Sequence, residues 1–429
     1  MTHHSSCSSP RSGKGCASGR GQTGCAFRGA KMALQPIADA AHLVHGPASC
    51  EMGSWEFRPT RSSGPLLHRL SLTTDMDERD IVLGGESRLA QAIEQIIKRF
   101  QPPALFVYQT CQPGLIGDDL AAVCLKAEQH WAIPVIPVDV PGFTGSRPWG
   151  NHLAAKVLLE RVVGTIEPEF TTPTDVNLIG EFNLGGETMR IRTLLSSLGI
   201  RVLASLSGDG RYGEVATAHR ARLSVLLCSQ GMASLAEGLR RRWGIPVIEG
   251  SFHGSAQCAD LLRRLAVALA EQGGPADLPQ RTEALIRREQ ARAEFQMTDL
   301  RRQLTGKRVL VRCGGAKTWS LIETLRSAGM VVVGSTANKV DAQDRLKLQD
   351  HLGAQSEPAE ADADIVLAGG TAQYELMKQG TAWLEVNHQR DFALTGFNGG
   401  LELLRRIAKA LSSPVWAELS RDAPWGAAP

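Results

Sequence analysis

The sequence predicts an α/β protein made of three doubly wound parallel-sheet units, and three observations lead there. Near-continuous apolar runs such as ALFVYQ, IPVIPVDV, IRVLASL and DIVLAGG have the character of strands covered on both faces. Amphipathic helical segments alternate with them, which is the grammar of a parallel sheet with crossover helices. A chain of 429 residues with 43% hydrophobic content also exceeds what one core accommodates, about 250–300 residues, so several cores are expected.

In chain order, residues 1–24 are Gly, Ser, Arg and Lys with little to bury, and are expected to form a mobile tail carrying Cys7 and Cys16. Order is expected from Cys25. MALQPIADAAHLVHG reads as a helix, followed by a turn at Gly46-Pro47 just before Cys50. From Asp80 the pattern reads IVLGG as strand, LAQAIEQIIKRF as helix, ALFVYQTC as a strand ending on Cys111, Ala121–His130 as helix and IPVIPVDV as strand. These complete an N-terminal unit over residues 25–171.

The same grammar repeats over 172–277. VNLIGEFN, IRVLASLSGDG, LSVLLCSQ (ending on Cys228) and IPVIEGSF are strands, with helices at MRIRTLLSSLG, up to Arg242, and at Ala259–Gln272. Residues 278–303 form a connecting helix, charged and free of glycine and proline after Pro279. The C-terminal unit, 304–429, opens with KRVLVRC and the helix LIETLRSAG. It continues through MVVVGST, a helix around Gln343–Leu352 and DIVLAGG, and closes with WLEVNHQRDFALTGFNGG and the helix LELLRRIAKAL. Three such lobes suggest a site where they meet.

Composition narrows function. A net charge of +3, with 47 scattered Lys and Arg, leaves no nucleic-acid footprint. No run approaches the roughly 20 apolar residues of a membrane span, and the N-terminus lacks a signal-peptide core, so a cytoplasmic protein is expected. Nine cysteines in a reducing compartment argue for metal ligands or buried hydrophobes over disulfides. Cys25, Cys50 and Cys111 stand at strand or loop ends, where doubly wound sheets place their ligands, and thiolates are the preferred donors of iron–sulfur clusters. Cys124, Cys258 and Cys313 read as packing residues. Gly314-Gly315 follows a strand but fits neither nucleotide-binding pattern. Asp118-Asp119 reads as a helix cap, and His388 lies in a polar loop.

GCAFRGAKMALQPIADAAHLVHGPASC, VYQTCQPGLIGDD, GEFNLGG, SGDGRYGEV, HRARLSVLLCS, GIPVIEGSFHG and GGAKTWS, taken together, resemble the α-type subunits of nitrogenase component 1 over Cys25 to Trp416. The resemblance implies three Rossmann-like α/β domains and a heterotetramer with a β-type subunit, served by an ATP-dependent iron protein. It implies that Cys25, Cys50 and Cys111 hold a P-cluster-type iron–sulfur centre at the subunit boundary. It assigns Cys228 as the anchor of an inner cofactor or its precursor, with Arg58 and Lys317 as basic residues near it. The wording is nearest the NifE-type scaffold subunits, on which the iron–molybdenum cofactor matures. Two departures point elsewhere: those subunits carry asparagine-glutamine where this chain has Asn387-His388, and GSWEFRP stands where they carry SWDNR. A histidine there resembles the cluster ligand of catalytic subunits. The expectation is therefore a nitrogenase-like reductase of the methylthio-alkane reductase type, with Cys228 and His388 holding the cluster at which a carbon–sulfur bond is cleaved. A NifE-like scaffold is the alternative.

Overall fold

Branched and apolar residues at every position, not alternate ones, make strands that bury both faces, and here they assemble three parallel sheets in succession. The computed structural model describes residues 24–55, 60–313, 316–335, 363–387, 390–419 and 421. The tail and its Cys7 and Cys16, Arg58, Gly314-Gly315, the helix expected around 343–352 and His388 lie outside them, as does the Lys317 side chain.

The first sheet contains β1 (Ala41–His45), β2 (Leu72–Thr73), β3 (Leu105–Gln109) and β4 (Val135–Asp139) in the order β2-β1-β3-β4. Its helices are α1 (Ala26–Leu34), α2 (Ala48–Trp55), α3 (Glu78–Leu83), α4 (Glu86–Phe100), α5 (Cys111–Ile116), α6 (Leu120–Trp131) and α7 (Arg147–Arg161). The second sheet has β5 (Asp175–Ile179), β6 (Arg201–Leu206), β7 (Leu223–Leu226) and β8 (Val247–Glu249), ordered β6-β5-β7-β8. Around it lie α8 (Glu187–Ser196), α9 (Tyr212–Ala216), α10 (Ser229–Trp243) and α11 (Ser255–Glu271). The long α12 (Leu278–Leu304) leads to the third sheet, β9 (Arg308–Arg312), β10 (Val331–Ser335), β11 (Ile365–Ala368) and β12 (Ala382–Glu385), ordered β10-β9-β11-β12. Its helices are α13 (Ala316–Ser327), α14 (Gln373–Lys378), α15 (Gly396–Leu411) and α16 (Val415–Leu419). No described helix is long and apolar enough to cross a membrane.

All three sheets therefore share one order, second-first-third-fourth, the doubly wound arrangement. Its topological switch lies between the first and third strands, and ligands bind beyond their carboxyl ends. One apolar core joins the first two sheets through Phe27, Leu34, Leu158, Met232 and Leu235, with α7 packed between α1 and α10.

Three local expectations are corrected. IVLGG is no strand: Asp77 and Asp80 form a capping box that starts α3, and Val82 and Leu83 are 80% and 78% exposed. AHLVH, expected within a helix and turn, is the fully buried β1. Its histidines find partners inside, His42 with the Tyr108 hydroxyl (2.8 Å) and the Ile37 carbonyl (3.1 Å). Cys111 does not end a strand; it opens α5.

Candidate iron–sulfur site

Cys50 and Cys111 follow β1 and β3, so both stand at the switch point of the first sheet. Cys25 reaches the same place as the cap of α1, held by an antiparallel bridge to Ser146 and by the Ala26 N–H, which donates to the Gly145 carbonyl (2.9 Å). Gly142 lies between the sulfurs. A methyl group there would sit 3.0 Å from Cys111 Sγ and 3.2 Å from Cys25 Sγ, so the missing side chain leaves the space between them open. All three thiols are half-buried. Burial pushes the Cys50 thiol up, the neighbouring Cys111 and Cys25 sulfurs add to this, and Arg28 opposes it.

The turns beneath are fixed by hydrogen bonds. The His45 carbonyl accepts from both the Thr110 N–H (3.1 Å) and hydroxyl (3.0 Å), joining the ends of β1 and β3. His45 is itself buried between Thr74 Oγ1 (3.1 Å) and Asp118 Oδ2 (3.0 Å), and desolvation holds its pKa low. Asp118 also accepts from the Gly85 N–H (3.0 Å). The expected carboxylate cap is thus divided: Asp119 caps α6 by accepting from the Ala122 N–H (2.9 Å), while Asp118 braces the floor of the thiol site.

Cys228 occupies the equivalent place in the second sheet, after β7 and at the cap of α10. A methyl group on Gly180, at the end of β5, would lie 2.9 Å from Cys228 Cβ. Around the position a methyl would take on Gly231 are Cys228 Sγ (3.4 Å), Phe182 Cζ (3.6 Å) and Asn151 Nδ2 (3.8 Å). Asn151 is buried on α7, and its Oδ1 has no hydrogen-bond partner among the described residues. Nothing in the sequence pattern singled it out, because a helical Asn reads as a surface residue until its neighbours are known. Cys124 and Cys258 are fully buried, and burial pushes each thiol up to about 12, in keeping with packing roles. Cys313 is buried against the Thr318 hydroxyl.

Of the seven site residues expected, the structure brings Cys25, Cys50 and Cys111 together and sets Cys228 at a second switch point. Lys317 is the second residue of α13, after β9, which borders the third switch point. Arg58 and His388 are not among the described residues. Among those that are, no three His, Cys, Asp or Glu side chains close around a single metal ion. A sulfur-only donor set spread around an open glycine suits a polynuclear iron–sulfur group better than a mononuclear site.

A family model described as "Nitrogenase component 1 type Oxidoreductase" matches residues 25–412. The chain belongs to this family. The nitrogenase iron-molybdenum cofactor biosynthesis protein NifE of Bradyrhizobium diazoefficiens is 46% identical over 417 residues, covering 94% of this chain and 76% of that protein. The protein of the same name from Klebsiella pneumoniae is 42% identical, covering 98% and 95%. A solved structure titled "Nitrogenase Cp1 at pH 5" superposes with a TM-score of 0.82 at 26% identity, over 94% of this chain and 90% of that one. This member of the nitrogenase component 1 type family thus has the α/β fold expected of it, with three parallel sheets, and its family implies iron–sulfur cluster binding.

Proposed function

We propose that the chain is a NifE-like scaffold subunit, which receives a precursor of the iron–molybdenum cofactor as its substrate, holds it through Cys228, and releases it to an apo-nitrogenase. The carrying observation is the convergence of three thiols at one switch point beside a fourth at the next, in a chain whose relatives at 42–46% identity are named for cofactor biosynthesis. Those names favour the scaffold over the reductase that His388 suggested.

Cys25, Cys50 and Cys111 would hold the boundary iron–sulfur cluster. Such a cluster, when bound, supplies one-electron storage and transfer. The chain's own residues hold the three sulfurs at fixed turns and leave them half-buried. Large apolar side chains stand exposed nearby in the fold: Met52, Val82, Leu83, Leu115 and Phe143 are all more than half exposed, on or next to the elements that carry the thiols. Exposed side chains of this kind suit a β-type subunit that completes the site and an iron protein that docks on the pair. At the inner site the Asn151 amide is a ready hydrogen-bond donor beside Cys228, and Lys317, Arg58 and His388 are the residues to test for contact with the anionic precursor.

One specific feature favours the second assignment, His388, a histidine able to fasten a cluster permanently. The two separate by experiment. The chain, purified with its β-type partner and loaded with precursor, is mixed with apo-nitrogenase, and restored acetylene reduction is measured. The scaffold is expected to restore activity, and Cys228→Ser to lower the yield at least tenfold while boundary iron stays. Retention of the inner cluster, with no transfer and with direct reduction of a methylthio compound, would establish the reductase instead.

A further inference from the structure

We infer that Lys31 and Glu51 form a buried clamp that sets the distance between Cys25 and Cys50, and so act as positioning residues for the boundary cluster, presupposing that the three thiols hold one. Cys25 caps α1 and Cys50 lies on α2, with β1 between them in sequence, so nothing local fixes the separation of the two sulfurs. Apart from the bond that the Ala48 N–H donates to Asp75 Oδ1 (3.1 Å) and the packing of Cys50 against the core, α2 has little to hold it. It has eight residues, its Met52 points outward, and a methyl on Gly53 would meet nothing within 4 Å.

What ties it down is polar and comes largely from one face of α1. The Lys31 ammonium pairs with the Glu51 carboxylate, both 1% exposed. Lys31 Nζ also donates to Ser54 Oγ (3.0 Å), whose hydroxyl donates on to the Glu51 carbonyl (2.8 Å). Arg28, one turn before Lys31 on the same face, donates to the Gly53 carbonyl (2.7 Å). Glu51 is the residue after Cys50, so the carboxylate that Lys31 grips is one peptide unit from a ligand.

A buried ion pair is a poor device for stability, because well-packed apolar side chains commonly do as well. It is a good device for register. If α2 slipped by one residue, the two buried charges would be parted and only hydroxyl partners such as Ser71 would remain for Glu51, whereas an apolar contact would tolerate the slip. A cluster that bridges two helices through sulfur needs that kind of discrimination.

The test uses the full chain with its β-type partner, as wild type, as the apolar double variant Lys31→Met with Glu51→Leu, and as the exchanged pair Lys31→Glu with Glu51→Lys. After iron is chelated out, a short bifunctional thiol reagent is applied, and Cys25–Cys50 cross-links are counted relative to Cys25–Cys111 cross-links. The latter separation is set around Gly142 and serves as an internal control. The apolar variant is expected to melt near the wild-type temperature, yet lose the ratio at least fivefold and change the electron-spin signature of the reduced cluster. The exchanged pair should recover at least half the ratio. A wild-type ratio and signature in the apolar variant would overturn the clamp. If that variant fails to fold, Glu51→Gln decides: an unchanged ratio overturns the proposal, and at least a twofold fall sustains it. Absence of iron from Cys25, Cys50 and Cys111 in the wild type would defeat the cluster assignment, while the cross-link ratio would still judge the clamp.

Discussion

A thiol's surroundings decide whether it can serve as a ligand, and the cysteines divide on that basis. Cys124 and Cys258, pushed up to about 12 by burial, carry so little thiolate at pH 8 that alkylation should run on the order of a thousandfold slower than at an ordinary thiol. Mass mapping of the metal-free protein is expected to find label on the half-buried Cys25, Cys50, Cys111 and Cys228 before Cys124 and Cys258. Early label on Cys124 would refute the packing assignment. Buried histidines set a pH dependence in the same way. Desolvation lowers His42 from 6.5 to about 3, and His45 and His68 are lowered for the same reason. The unfolded chain therefore binds more protons than the fold between those limits, so stability is full above about pH 6.5 and falls as pH drops toward 3. His42 alone contributes at most about 5 kcal/mol over that span. Denaturant midpoints should fall steadily from pH 7 to pH 4, and His42→Phe, which keeps the stack on Phe106, should flatten the slope. At this scale the sequence showed the cysteines by their place at strand and loop ends. It hid Lys31, Glu51 and Asn151, because a charged or amide side chain in a helix looks solvated until the opposing face is known.

Between elements, α1 and α7 approach closely. A methyl on Gly29 would fall 2.1 Å from the Arg147 carbonyl oxygen, and one on Gly150 1.9 Å from that of Ala26. The two backbones touch there, one turn from Cys25. Gly150→Ala would gain about 1 kcal/mol in helix propensity, but overpacking costs about 1–3 kcal/mol and must move α7. Thermal unfolding should show a net loss of stability, and iron held at the proposed thiol site should fall with it; a stabilised variant with full iron would contradict the packing. Elements with one plain pattern were legible: α4, α12 and the strands β3, β6 and β11 appear where apolar runs or amphipathic repeats predicted them. Two were not. The histidines of β1 disguised a buried strand, and the apolar triplet of α3 imitated a strand while serving an exposed surface. For β1 the partners of the histidines are tertiary, and periodicity carries no record of them; for α3 the local Asp77–Asp80 capping box was the signal, and the apolar triplet masked it.

Across the whole molecule, the repeated order of the three sheets explains why cysteines distant in sequence converge, since each switch point gathers the ends of a first and a third strand. Alternation of strand and helix was visible in the sequence, but strand order was not, because pairing is decided by contacts between strands distant in sequence within each unit. The exposed leucines Leu83 on α3 and Leu115 on α5 give a prediction at this scale, that they face the proposed β-type subunit. Leu83→Lys combined with Leu115→Lys should lower co-purification of the β-type subunit several-fold without changing the melting temperature of the isolated chain, as read by light scattering; undiminished assembly would remove that face from the interface. The most direct test is of the proposed boundary cluster, by iron content and electron-spin spectra of the chain purified with its proposed β-type partner. Replacing Cys25, Cys50 or Cys111 by alanine, one at a time, is expected to abolish one and the same signal, while Cys228→Ala leaves it in place. An unchanged signal and full iron in Cys111→Ala would contradict the account.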